Sequence, residues 1–240
     1  MIALGNLLFR FRNGIFPVVI IALLVVDTVL HMPPLFADFR IPGTAGLLLL
    51  LAGQLVRGAT IGLFYIKRGG KERRIYAESL VQEGIFAHCR NPMYLGNLLI
   101  VAGACLASNS LFIIAVGVPL FALVYAALIL AEEAYLRTSF GAEFDAYCKR
   151  VPRLLPRLSG FRETLRNSEF HWHRLLVKEY ATTFAWIAGF LLLIIRDDYL
   201  QTGNVPVDAL AYTALALLIV ASIGFLVVRH MKKSRMIIAD

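Results

Sequence analysis

Apolar runs alternate with charged loops along the whole chain. Six runs stand out: Gly14 to Leu30, Gly43 to Ile66, Pro92 to Ala107, Leu111 to Ala131, Ala181 to Ile195 and Val207 to Val228. A membrane-spanning helix needs about 20 apolar residues, within a range near 17 to 25. The third and fifth runs are short by that measure and are expected to tilt, to re-enter, or to extend into flanking residues. The first follows Arg10 and Arg12, as in a signal peptide, but no small-residue cleavage pattern comes after it at His31-Met32-Pro33-Pro34, so it is expected to remain as a span. The pattern predicts an all-α fold, a polytopic transmembrane helix bundle of about six membrane segments.

Composition agrees with that pattern. The 240 residues are 59% hydrophobic with a mean hydropathy of +0.71, well above the roughly 45–50% apolar content of soluble domains. A net charge of +8 would suit a nucleic-acid binder. No nucleic-acid-binding motif is present, however, and cations lying between apolar runs are accounted for by cytoplasmic loops facing anionic lipid headgroups. Of the 24 Lys and Arg residues, 21 fall in alternate loops and at the termini, 2 (Arg40 and Arg196) fall on the opposite side, and Arg57 lies inside the second run. The positive-inside rule then puts both termini and the two large loops in the cytoplasm, and the chain in an inner or plasma membrane. Cys89, Cys105 and Cys148 form no CxxC or Cys/His pattern and are odd in number, so free thiols are expected. There is no internal repeat and no low-complexity segment.

Polar groups gather where the third run begins. In Leu80 to Gly96, LVQEGIFAHCRNPMYLG, Pro92 biases Asn91 out of the helical region and itself suits a first helical turn. Arg90 and Asn91 are therefore expected on a loop that leads straight into a membrane helix. Just upstream, KRGGKERR reads as a headgroup-facing stop signal, with Gly69 and Gly70 as a flexible corner. Arg57 has Gln54 three residues before it on the same helix face. An arginine at membrane depth either pairs with a carboxylate from another helix or anchors an anionic group. Asp27, near the outer end of the first run, is expected to serve as a cap or to meet interfacial water.

Glu132 and Glu133 end the fourth run. Adjacent helical residues point about 100° apart, so one is expected to face the bundle and the other solvent. They form either a solvated helix end or, together with Arg90, Asn91 and Tyr94, a site for a zwitterion. Glu132 to Tyr180 is a long polar stretch that can cover a water-accessible site. His88 reads as a loop histidine, and His171 and His173 flank Trp172 as a membrane-interface helix would rather than a metal pair. No HExxH, GxSxG, P-loop or GxGxxG occurs, which removes the usual signatures of zinc hydrolases, serine hydrolases and Rossmann enzymes.

LVQEGIF, RNPMYLGN and EEAYLRTSFGAEFDAYCKRVPRLLP resemble, in that order and with about 35 residues between the last two, motifs of the isoprenylcysteine carboxyl methyltransferase and phospholipid methyltransferase family of integral membrane enzymes. The family patterns are LVxxGxY, RHPxYxG and EExxLxxxFGxEYxxYxxRVP, and the likeness runs from Arg57 to Pro156, roughly two-fifths of the chain. The resemblance implies S-adenosylmethionine bound in a cytoplasmic pocket and a lipid-like or isoprenoid methyl acceptor. Leu80 and Val81, the ring of Phe86, and Asn91, Pro92, Met93 and Tyr94 would line the cofactor. Glu132 and Glu133 would hold its amino group or polar edge, Arg90 and Glu132 would act with Arg57 at the reacting groups, and Arg57 and Arg153 would meet an anionic group of the acceptor. Two positions depart from the pattern: Asn91 stands for the usual histidine and Phe86 for the usual tyrosine. An asparagine donates and accepts hydrogen bonds but does not titrate, so it suits binding rather than proton transfer. On this basis residues 1–66 form two leading helices, 67–180 a methyltransferase core, and 181–240 an additional two-helix segment.

Two other readings use the same residues. Tyr147-Cys148-Lys149-Arg150-Val151-Pro152 is also compatible with membrane sterol-type reductases that use NADPH, although the Glu132-Glu133 pair favours the methyltransferase. A non-enzymatic lipid-binding protein would use its basic loops to clamp headgroups. The acceptor itself is left open among a prenylated cysteine, phosphatidylethanolamine and other lipids, and the ending MIIAD is no lipidation box.

Overall fold

The computed structural model describes residues 1–63, 68–71, 74–77, 79–203 and 209–237. Helices α1 (Ile2–Val29), α2 (Arg40–Leu63), α3 (Pro92–Ala107), α4 (Leu111–Arg150), α5 (Phe161–Arg166), α6 (Trp172–Thr202) and α7 (Ala209–Lys233) account for most of them. Between α2 and α3 lie a short antiparallel hairpin, β1 (Arg68–Lys71) and β2 (Arg74–Ala77), and a 3-10 turn at Gly84–Ala87. The fold is an all-α polytopic bundle. By length and composition α2, α4, α6 and α7 can each cross a membrane, and α1 makes a fifth span if its two arms count as one. Helix α3, with 16 residues, is a shorter apolar helix.

Several differences from the sequence pattern have local causes. The fifth run is lengthened at both ends, so α6 reaches 31 residues. Helix α1 bends by 88° between Ile2–Arg12 and Gly14–Val29. Pro17 explains the position, since its ring clashes with the carbonyl four residues earlier, at residue 13, and removes that hydrogen bond. The first arm packs Leu8 and Phe9 against Phe121, Tyr125 and Leu128 of α4. In the hairpin, Gly69 and Gly70 lie within β1 opposite Tyr76 and Ile75 and so do not form the expected corner. Of KRGGKERR, Lys67, Glu72 and Arg73 lie outside the described residues, as do Ile66 and Val207, the expected limits of the second and sixth runs.

Helices α2 and α3 meet along a seam of glycines. A Cβ on Gly53 would stand 2.6 Å from the Gly96 carbonyl oxygen, and one on Gly103 2.7 Å from that of Gly46. In a bilayer, where lipid is as apolar as leucine, such close backbone approach is what holds helices together. The seven-residue spacing on each helix keeps the seam facing its partner.

Helix α4 decides where the polar machinery sits. Leu111 to Ala131 spans about 30 Å at 1.5 Å per residue, roughly the hydrocarbon thickness. Glu132 onward therefore stands at or beyond one membrane surface. At Gly141 the backbone turns (φ 50°, ψ −125°), a conformation that glycine adopts without steric penalty. The arm beyond it folds back, so that Phe144 and Tyr147 pack on Leu136, Val151 and Ala77. The opposite end is tied by Asp27 of α1, which is 4% exposed and paired with Arg196 of α6. Asp27 also accepts from Ser110, which caps α4 by accepting from the Ile113 backbone N–H. A hydrated role for Asp27 is thus replaced by a buried one, because α6 brings a guanidinium to it.

Candidate active site

Asn91 precedes the first turn of α3 in a non-helical conformation (φ −130°, ψ 55°), and Pro92 opens the helix. This loop is held from beneath by the segment after α4. The Arg90 backbone N–H donates to the Pro152 carbonyl at 3.0 Å, and the Arg157 N–H to the His88 carbonyl at 3.0 Å. Cys89 Sγ donates to the Leu154 carbonyl at 3.1 Å, and Tyr147 Oη donates to the Phe86 carbonyl at 2.7 Å. The two motif blocks, far apart in sequence, are therefore bonded backbone to backbone. Burial pushes the Cys89 thiol up to about 11, against the opposing pull of the Asn91 backbone N–H and the Arg90 guanidinium. It is a structural thiol.

Glu133 is the hub of the side chains. It is 3% exposed and receives Arg90 Nη1 at 2.9 Å, Arg153 Nη2 at 2.8 Å and Arg153 Nε at 3.2 Å. Asn91 Nδ2 donates to the Arg153 carbonyl at 3.1 Å and reaches Glu133 more weakly at 3.5 Å. One carboxylate thus meets two guanidiniums and a carboxamide. Glu132 is buried beside it at 7% exposure, so a second carboxylate adjoins the cationic pair. Arg90 Nη1 also donates to Cys148 Sγ, while Arg90 Nε is buried with no partner among the described residues. A buried N–H of a guanidinium is costly to leave unmade, and an anionic ligand would satisfy it.

The remaining expected residues differ in burial. Phe86 is buried at 2% exposure, Leu80 and Val81 are half-buried on the preceding loop, and Met93 and Tyr94 are half-buried on the first turn of α3. Tyr94 lies 5.9 Å from the ring of Tyr125. A cavity of about 370 Å³ is lined by Gln82, Ala87, Lys149, Arg150, Val151 and Arg157, and so by none of Arg90, Asn91, Glu133 and Arg153. None of these six is among the expected site residues, although Lys149, Arg150 and Val151 belong to the YCKRVP block and Gln82 and Ala87 to the Leu80–Gly96 stretch. His88 is engaged at both ring nitrogens, by the Arg157 carbonyl at 2.8 Å and Thr164 Oγ1 at 2.9 Å.

Arg57, on α2, belongs to a second network, which meets α3 at Asn97. It makes a two-pronged pair with Glu179 of α6, Nε to Oε2 at 2.8 Å and Nη2 to Oε1 at 2.6 Å, and donates to Asn97. Trp186 Nε1 donates to Gln54 Oε1 at 2.8 Å, which extends the network along α6. Of the two roles open to a membrane arginine, the ion pair is the one present. Glu179 was missed because it lies in the stretch read as a polar loop. The signal was the unmatched arginine itself, which names the class of partner without its position.

Residues 44–143 match the family model for phospholipid methyltransferase. The chain is 36% identical over 207 residues to the cobalt-zinc-cadmium resistance protein CzcN of Cupriavidus metallidurans, covering 85% of this chain and 89% of that one. To the nickel-cobalt-cadmium resistance protein NccN of Alcaligenes xylosoxydans xylosoxydans it is 33% identical over 192 residues, 80% and 84% of the two. To the protein-S-isoprenylcysteine O-methyltransferase of Schizosaccharomyces pombe it is 30% identical over 128 residues, 49% and 51%. The chain belongs to the phospholipid and isoprenylcysteine methyltransferase family. No solved structure matches it. The family match begins within α2 and ends just past Gly141, so it takes in Arg57, the Arg90–Tyr94 loop and the Glu132-Glu133 pair while leaving out Arg153 and Glu179. It is a family of membrane methyltransferases, which implies a methyl donor and does not favour the reductase and scaffold readings.

Proposed function

We propose that this protein transfers a methyl group from S-adenosylmethionine to a carboxylate or amine of a lipid-like or isoprenoid acceptor, at the end of the bundle that carries Glu133. The observation that carries the reading is the buried Arg90 Nε, which has no partner among the described residues and belongs to a guanidinium paired, with that of Arg153, to Glu133. Those groups suit the carboxylate of the donor's amino-acid end, and Glu132 suits its ammonium. Leu80, Val81, Phe86, Pro92, Met93 and Tyr94 would shape the apolar side of the pocket, with Asn91 anchoring the loop to Glu133 and Arg153. S-adenosylmethionine supplies a methyl group activated by a sulfonium, whose positive charge is lost on transfer.

The chain's own work is then to align and to exclude water. Holding nucleophile and methyl in line converts a bimolecular encounter into a positioned one, worth up to about 7–11 kcal/mol in favourable systems. With Arg57 engaged by Glu179, the acceptor's anionic group falls to Arg153, whose side chain is 51% exposed. Arg57 instead holds α2 and α6 around the pocket. A carboxylate acceptor arrives deprotonated, and an amine acceptor gives its proton to Glu132, since His88 is tied at both nitrogens. Residues 67–180 form the core on this reading and 181–240 add two helices. Both termini and the site face the cytoplasm of an inner or plasma membrane, where the donor is dissolved. Two relatives are named for resistance to metal ions. We carry that to this chain as a methylated membrane component.

Lipid extracts from cells with and without the active protein are compared by mass spectrometry, alongside cells carrying Asn91→Ala or Glu133→Gln. The expected result is a lipid heavier by one methyl group with wild type only. Identical extracts from wild-type and protein-free cells, or full product with both variants, would overturn the reading.

A further inference from the structure

We propose that the far end of the bundle, away from Glu133, contains a second binding site that takes a primary ammonium group. A cavity of about 230 Å³ lies there between the end of α1, the α3–α4 turn and the end of α6. Asp27 and Asp197 both line it and are each 4% exposed. Arg196 bridges them, Nη2 to Asp27 Oδ2 and Nη1 to Asp197 Oδ1, the latter at 2.9 Å, and Ser110 donates to Asp27 Oδ1. Three of the four carboxylate oxygens are thereby matched. Asp197 Oδ2 is sealed from solvent and has no hydrogen-bond partner among the described residues. Two carboxylates share one guanidinium, and a buried carboxylate oxygen left without a partner is disfavoured. A cationic donor at that oxygen supplies the missing partner.

The donor set selects the kind of cation. Calcium needs six to eight oxygens and zinc four strong ligands, whereas one carboxylate oxygen is open here. A primary ammonium needs one charged acceptor and two neutral ones. His31 lies on the cavity wall and accepts no less readily than it donates: its Nδ1 lies 3.1 Å from the Val29 carbonyl, which makes Nδ1 the donor and leaves Nε2 as an acceptor. The Asn109 carbonyl, which already accepts from Leu35 N–H at 2.7 Å, has a second lone pair. Leu200 and Met32 give the wall apolar surface for a short alkyl chain. His31 and Asn109 both sit at φ 50°, a left-handed conformation that non-glycine residues adopt mainly where the surrounding structure holds them.

The full chain is reconstituted in nanodiscs of phosphatidylglycerol alone or with phosphatidylethanolamine, and its melting midpoint is followed against ethanolamine and, separately, choline. A saturable rise with ethanolamine and none with choline is expected in phosphatidylglycerol discs. If the ammonium comes from lipid, the discs with phosphatidylethanolamine start higher and free ethanolamine adds little; if it comes from a free amine, both discs respond alike. Asp197→Asn should weaken the response at least tenfold. Leu200→Trp, which fills the cavity and leaves every charge in place, should abolish it and stands in if Asp197→Asn does not fold. No response to ethanolamine and no difference between lipids, or an undiminished response in Leu200→Trp, would overturn the proposal.

Discussion

The two ends of this bundle carry inverse charge arrangements. At one, the carboxylate of Glu133 lies between the guanidiniums of Arg90 and Arg153. At the other, the guanidinium of Arg196 lies between the carboxylates of Asp27 and Asp197. Each leaves one buried polar atom without a partner among the described residues, Arg90 Nε at the first and Asp197 Oδ2 at the second. Between them, Arg57 and Glu179 balance one to one, and that pair behaves as a fastener. A fully matched buried pair holds helices together; one that leaves a polar atom unmatched also selects, as donor or acceptor, what binds next to it. The ends differ in access as well, since Arg153 is half exposed whereas Arg196 is 17% exposed.

That difference in access ranks the expected effects. Arg196→Ala leaves two buried carboxylates side by side and should destabilise the protein by about 3–5 kcal/mol, the usual result of removing one partner of a buried pair. Glu133→Gln, the matching change at the other end, should cost less, about 1–3 kcal/mol, because Arg153 can turn to water. Chemical denaturation of both variants in the same detergent checks the order, and equal losses would break the comparison. Gly53→Ala tests the seam that keeps the two ends in register. Its Cβ would press on the Gly96 carbonyl, and a loss of about 1–3 kcal/mol is expected by the same denaturation.

Cys89 reports on the site end alone. With its thiol at about 11 against an ordinary value of 9.0, the thiolate fraction at pH 8 is about 100-fold lower than in the unfolded chain. Alkylation by iodoacetamide, followed by mass spectrometry, should be slower by at least that factor in the folded protein. It should rise about tenfold per pH unit up to about pH 11, because only the thiolate reacts. The smallest effect is expected at Arg137, whose pair with Asp145 at 2.8 Å is more than half exposed on both sides. Arg137→Ala should leave the melting midpoint unchanged within error, since exposed pairs contribute little.

The apolar runs were readable because a membrane demands about 20 such residues in series. The loop Arg90 to Tyr94 was readable because Pro92 fixes a helix start. Other features depend on chain segments meeting in space. Glu179 and Asp197 sit on α6, beyond the family match, and nothing local marks either as the partner of Arg57 or Arg196. The Gly141 turn was hidden inside a motif with helical periodicity on both sides, and only its positive φ reveals that α4 folds back to bring Tyr147 to Phe86. Glu132 and Glu133 were legible as a pair, but not the choice of Glu133 as the hub.

The most direct test of the central claim is sidedness. Tritiated S-adenosylhomocysteine, the demethylated form of the donor, is titrated onto sealed inverted and right-side-out membrane vesicles containing the full chain. Saturable binding to inverted vesicles alone, lost in Asn91→Ala, is the predicted result. Binding confined to right-side-out vesicles, or unchanged in Asn91→Ala, would contradict it.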